Sequence, residues 1–175
     1  MEAAASVEGA SAGVEGVSAA AAPADDGRKQ LKTKNQKLTK GEKEKIVSAI
    51  AEAERTTSGE IRVHVSSHCK EDVFGHAKRI FERLHMERTK ERNAVLIFVA
   101  LKARRFAIIG DTGIHEKVRE IIWKNALDTM RGFFSKGRIQ EGISAGVLSV
   151  GTELRKYFPA HPQDKNELSN EITGV

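Results

Sequence analysis

The stretch from Asn93 to Gly113 constrains the fold of this chain more than any other. Its first half, Asn93-Ala-Val-Leu-Ile-Phe-Val-Ala-Leu, is a continuous apolar run rich in β-branched residues and too short to cross a bilayer. Such a run reads as a strand buried on both faces. Lys102, Ala103, Arg104 and Arg105 interrupt it, and a second apolar run follows from Phe106 to Ile109. So short a polar break predicts a β-hairpin, although the Asn-Gly or Asp-Gly pair of the tightest turns is missing. Gly110, Asp111, Thr112 and Gly113 end the second strand and lead into a helix.

The segments around this core supply its partners. Thr39-Lys40-Gly41-Glu42 has the spacing of a capping box, and Ile46, Val47, Ile50, Ala51 and Ala53 give the helix that follows one apolar face. Thr56, Thr57, Ser58 and Gly59 end that helix. From Glu60 to Ser66 the residues alternate, with Ile61, Val63 and Val65 on one side and Arg62, His64 and Ser66 on the other, the pattern of a half-buried strand. Val73, Phe74, Ala77, Ile80, Phe81 and Leu84 then recur at helical spacing. Strand, helix and buried strand make a βαβ unit, so the first two strands are expected parallel and the hairpin strand antiparallel. A helix from about Ile114 to Arg131 turns Ile114, Val118, Ile121, Ile122, Leu127 and Met130 inward. A last helix carries Ile139, Ile143, Val147, Val150, Leu154 and Phe158. Gly142, Gly146 and Gly151 lie on or beside its apolar face, where each costs about 1 kcal/mol against alanine, so their expected role is close packing. The fold class is therefore α/β: a three-layer α/β/α sandwich with a small mixed sheet flanked by helices.

At 175 residues the chain allows one domain with tails. The expected division is a disordered N-terminal arm over 1–38, the α/β domain over 39–160 and a flexible C-terminal tail over 161–175. The net charge of +5 is unevenly spread. Up to Asp26 the only charges are acidic, and then Arg28, Lys29, Lys32, Lys34, Lys37, Lys40, Lys43 and Lys45 follow closely. No aromatic residues are interleaved with these lysines to stack on bases, which argues against nucleic acid. No apolar run reaches the length of a transmembrane segment. One cysteine, Cys69, excludes an intrachain disulfide. With no basic-then-apolar leader pattern at the N-terminus, the expected location is cytoplasmic.

Strand directions also predict where chemistry would gather. Glu60 and Asn93 begin two parallel strands and Asp111 ends the antiparallel one, so all three belong to one rim of the sheet. Glu91 and Glu116 are near enough in sequence to join them. Carboxylate and amide oxygens converging there suit a hard cation, Ca²⁺ or Mg²⁺, which polarises a phosphoryl oxygen or activates water. The helix starting near Ile114 turns its positive end to the same rim, which favours phosphate. His115, in its first turn, is placed to act as a proton donor. The same residue types serve equally well as structural groups: Asp111 as a turn brace, Glu60 as a surface partner of Arg62 or Arg105, His115 as an exposed helix-start residue. Trp123 reads as packing and Cys69 as inert. No Cys-x-x-Cys, His-Glu-x-x-His, P-loop or Gly-x-Gly-x-x-Gly pattern is present.

Several pieces together resemble one family. Thr56-Thr57-Ser58-Gly59-Glu60-Ile61 is similar to its Thr-Gly-(Ala)-Glu-Ile approach to the first strand, and Asn93-Ala-Val-Leu-Ile-Phe-Val-Ala to its Asp-Asn-Gly-Val-Leu-Leu-Leu-Ile strand. Phe106-Ala-Ile-Ile-Gly-Asp-Thr-Gly-Ile resembles the next strand with its Gly-x-Gly exit. Phe134, Gly137, Gly142-Ile143, Gly146-Val147 and Phe158-Pro159 look like its last helix. On these motifs, over about Thr39 to Pro159, the chain is identified as resembling the TPM domain family. The resemblance implies an α/β sandwich, divalent metal binding in some members and weak acid phosphatase activity in plant members. Where the family usually has Asp-Asn before the buried strand, this chain has Arg92-Asn93, with Glu91 before them. Two functions follow as expectations. One is metal-dependent hydrolysis of phosphate monoesters, with Glu60, Glu91, Asn93, Asp111 and Glu116 at the cation and Asp111 and His115 catalytic. The alternative is a non-catalytic metal- or partner-binding module that docks a protein or membrane-associated partner or a phosphate-containing small molecule.

Overall fold

The computed structural model describes residues 18–23, 37–69, 72–117 and 122–174. A capping box opens the first helix, α1 (Lys40–Glu54): the Glu42 amide donates to Thr39 Oγ1 at 3.3 Å, and the Thr39 amide to Glu42 Oε2 at 2.8 Å. Strand β2 (Glu60–Ser66), helix α2 (Val73–Arg83) and strand β3 (Ala94–Ala100) follow, with a 3-10 turn, Met86–Arg88, leading into β3. The hairpin strand β4 (Arg105–Gly110), helices α3 (Thr112–Lys117), α4 (Ile122–Phe134) and α5 (Ile139–Tyr157) complete the sequence of large elements. Strand β1 (Ser18–Pro23) precedes them and a short strand β5 (Thr173–Gly174) ends the described chain.

The sheet has the order β1-β4-β3-β2-β5. β2 runs parallel to β3, with Glu60 opposite Ala94, and β3 runs antiparallel to β4, with Val95 opposite Gly110. Every residue of β3 is buried, as its unbroken apolar run demands, because helices cover both faces. One face packs Ile61, Val63, Val65, Val95, Ile97, Val99, Phe106 and Ile108 under α1, α4 and α5. The other packs Leu96, Phe98, Ala107 and Ile109 under Val73, Ala77, Ile80 and Phe81 of α2. This is the expected three-layer α/β/α sandwich. α2 also covers the polar side of β2, so His64 is buried rather than solvent-facing, stacked beside Phe98 with ring centroids 5.9 Å apart.

The glycines of α5 let helices approach. A Cβ at Gly151 would lie 2.6 Å from Ala53 Cβ of α1, and one at Gly146 equally close to Met130 of α4. Ile114, Leu127, Met130 and Trp123 are buried as packing residues. Two strands occur in segments expected to be without structure. β1 pairs antiparallel with β4, and β5 pairs parallel with β2. Leu38, one residue before the expected start of order, joins the core. The rest of the expected arm, its basic cluster from Arg28 to Lys34, and Val118 and Ile121 of the expected helix lie outside the described residues. Among the described residues no helix is long and apolar enough to cross a membrane.

Candidate functional site

The rim where β2 and β3 begin and β4 ends is built from two stacked turns. In the first, Arg92 takes a left-handed backbone (φ 52°) and its amide donates to the Thr89 carbonyl at 3.1 Å. In the second, the Asp111 amide donates to the Ala94 carbonyl at 2.9 Å, carrying the ladder one residue past β4, and the Gly113 amide donates to the Arg92 carbonyl at 3.0 Å. Gly113 is required where it stands, since a Cβ there would collide with the Glu91 and Arg92 carbonyl oxygens.

This stacking places Arg92 over Asp111. Arg92 Nε donates to Asp111 Oδ2 at 2.7 Å and Nη2 to Oδ1 at 2.9 Å, while the Thr112 amide donates to Oδ1 at 2.7 Å. The bond to Asp111 raises the Arg92 pKa above its ordinary value. The Asp111 side chain is 2% exposed, and the Arg92 side chain above it 46%. A fork-on-carboxylate pair of this kind is among the stronger charge-assisted arrangements.

A second cluster lies beside it. Asn93 Nδ2 donates to the Ser58 carbonyl at 2.9 Å and to Glu91 Oε2 at 3.1 Å, and Ser58 Oγ donates to the same Glu91 oxygen at 2.7 Å. The neighbouring Thr57 hydroxyl donates to the Phe158 carbonyl, which also accepts the Ser58 amide at 3.0 Å. Thr57-Ser58-Gly59, Asn93 and Phe158-Pro159, far apart in sequence, thus form one buckle that ties the end of α1 to the end of α5 and to the start of β3.

Glu60 shares the rim but turns elsewhere. Its Oε1 accepts the Glu167 amide at 2.9 Å and its Oε2 the Leu168 amide at 3.1 Å. Burial pushes its pKa upward, against those two bonds. Glu54, at the end of α1, accepts the Ile61 amide at 2.9 Å and the Asn170 side-chain amide at 2.7 Å, and burial pushes its pKa up to about 7. His115 and Glu116 are exposed on α3. The structure therefore brings Glu91, Asn93 and Asp111 to one rim, and directs Glu60 to the C-terminal segment rather than to Arg62 or Arg105.

As arranged, these residues do not fit a Ca²⁺ or Mg²⁺ ion. Such a cation needs about six or more oxygen ligands, yet both oxygens of Asp111 carry short bonds and the nearest charge is a guanidinium. Among the described residues no three His, Cys, Asp or Glu side chains come together to hold a metal. Arg92, Ser58, Glu54 and Asn170, which complete these bonds, are not among the residues that the sequence assigns to the rim. The departure at Arg92 was the one visible signal, and its partner became visible only in three dimensions.

Comparison with known proteins agrees with this fold. No curated relative matches the chain. The solved structure of BA42 protein from the psychrophilic bacterium Bizionia argentinensis superposes with a TM-score of 0.76 at 38% identity, covering 83% of this chain and 99% of that one. The sequence model of the TPM domain matches residues 32–153. The chain belongs to the TPM domain family.

Proposed function

We propose that this chain is a TPM domain that binds a partner and does not turn over phosphate esters. The supporting observation is the bidentate Arg92–Asp111 pair, at 2.7 and 2.9 Å. It occupies both oxygens of a deeply buried carboxylate on the rim and puts a fixed positive charge where a metal-dependent reaction would need a cation. His115 lies exposed on α3, and the carboxylate oxygens of the buried Asp111 are already bonded by Arg92.

A direct assay separates this proposal from a phosphatase. Hydrolysis of p-nitrophenyl phosphate is measured across acidic to neutral pH, with and without millimolar Mg²⁺ or Ca²⁺, for the native chain and for Asp111→Asn. The expected result is no metal-stimulated turnover and no difference between the two proteins. Metal-stimulated hydrolysis that disappears in Asp111→Asn would overturn the proposal in favour of an enzyme.

A further inference from the structure

The outer edge of β2 is closed by the chain's own C-terminal segment, held mainly by side chains of the domain. Among the described residues, backbone strand pairing joins His64 with Thr173 and Val65 with Gly174. The remainder is side-chain capture. Glu60 accepts the consecutive amides of Glu167 and Leu168 at 2.9 and 3.1 Å, one on each oxygen. Glu54 Oε2 accepts the Asn170 side-chain amide at 2.7 Å, and His64 Nδ1 lies 2.8 Å from the Thr173 hydroxyl. In return, the Lys90 amide donates to Glu167 Oε2 at 2.8 Å. Leu168 packs against the core under α2 and Ile172 against the core of the opposite layer, so the segment straddles the sheet edge. At Gly174 a Cβ would collide with the Val65 carbonyl, and its φ of 96° suits glycine.

These are the parts of a strand-addition site, in which main-chain bonds give affinity and side-chain acceptors and apolar contacts give selectivity. With the segment in place Glu60 is buried, and each of its two oxygens is matched by a main-chain amide of the segment, as a buried acceptor requires. The match to the family ends at residue 153, so the acceptors Glu54 and Glu60 lie within the matched span and the donor segment lies beyond it.

We infer that the β2 edge is a docking site for an extended peptide segment of a protein partner, and that residues 164–174 occupy it in cis as a resident ligand. The partner segment runs parallel to β2 and offers two consecutive main-chain amides to Glu60, which excludes proline there. It places an Asn or Gln two residues further on over Glu54, and a hydroxyl followed by glycine opposite His64 and Val65. The inference rests on the reading of the chain as a binding module and gives that module its surface. The short connection from α5, Pro159 to Gln163, keeps the resident segment at an effective concentration on the order of millimolar. A partner therefore competes with it rather than entering an open groove.

The test uses the full chain and a synthetic peptide of residues 163–175. Asn170→Ala with Thr173→Pro is designed to release the resident segment: it removes the Asn170 amide that meets Glu54, the Thr173 hydroxyl that meets His64 and one main-chain N–H. The released variant is expected to bind the labelled native peptide at least about tenfold more tightly than the wild-type chain does. A peptide carrying the same two substitutions is expected not to bind. A released variant with a native amide spectrum that binds neither peptide, or both alike, overturns the inference. If that variant loses the native spectrum, the wild-type chain decides the matter. Excess native peptide at millimolar concentration should then shift the Glu167, Leu168 and Gly174 amide resonances partway to their free positions, and unmoved resonances overturn the inference. Failure here leaves the hydrolysis assay untouched, and hydrolysis would refute the non-catalytic reading whatever the peptide does.

Discussion

Arg92 joins a left-handed backbone to a two-point bond with a buried carboxylate, and each feature depends on the other. The turn aims the guanidinium at Asp111, and the bond compensates a conformation that side-chain-bearing residues rarely adopt. Truncation to Arg92→Ala leaves Asp111 with the bond from the Thr112 amide but without its guanidinium partner, and should lower unfolding stability by about 1–3 kcal/mol in urea titrations. The lower end is favoured because the half-exposed side chain leaves a path for water when it goes. The same variant frees carboxylate oxygens, so the Thr112 amide resonance should move when millimolar Ca²⁺ is added, while that of the native chain should not. An unmoved resonance in Arg92→Ala would show that something other than this guanidinium keeps cations out.

At the level of elements, helix α5 is the central strut, packing against α1 at Gly151 and α4 at Gly146. Alanine is the better helix former by about 1 kcal/mol, so the sign of a Gly→Ala change reports whether the space is already filled. Gly151→Ala forces a methyl to within 2.6 Å of Ala53 Cβ and should destabilise by about 1–3 kcal/mol through overpacking. Gly132, in α4, has open space where its Cβ would stand, so Gly132→Ala should stabilise by about 0.4–1 kcal/mol. Urea midpoints of the two variants are expected on opposite sides of the native value. The helix-spaced apolar residues of α5 were readable in sequence because a period of 3.6 is local. The partner of each glycine was not, since it belongs to another helix.

For the whole molecule, the C-terminal segment couples stability to pH through groups with opposite signs. Glu54 has a folded pKa of about 7 against an ordinary 4.5, so its contribution to stability is full below about pH 4.5 and declines as pH rises to about 7. Glu60 is shifted in the same direction, also by burial. His64 is pushed down to about 4, first by burial and then by the charges of Arg83, His76 and Arg62, so its contribution is lost as pH falls from about 6.5 to 4. The two kinds of slope oppose each other between about pH 4.5 and 6.5. Glu54→Gln removes one falling component, so the thermal midpoint of that variant should rise more steeply with pH over this range than that of the native chain. Parallel profiles for the two proteins would place the titrating group elsewhere.

The alternation of β2, the buried run of β3, the hairpin break and the amphipathic helices are properties of contiguous residues, and they determined the three-layer α/β/α sandwich from sequence alone. Strand direction likewise placed Glu60, Asn93 and Asp111 on one rim, because direction follows from the order of elements. Which atom each side chain faces depended on groups remote in sequence. Asp111 is held by Arg92, Asn93 by Ser58 and Glu91, and Glu60 by the amides of Glu167 and Leu168. Burial removes water as an alternative partner, so each buried polar group must take whatever donor or acceptor the packed chain brings within reach. That choice belongs to the tertiary structure: it set Asp111 in an ion pair with Arg92 and laid Thr173 and Gly174 as a strand on the sheet edge.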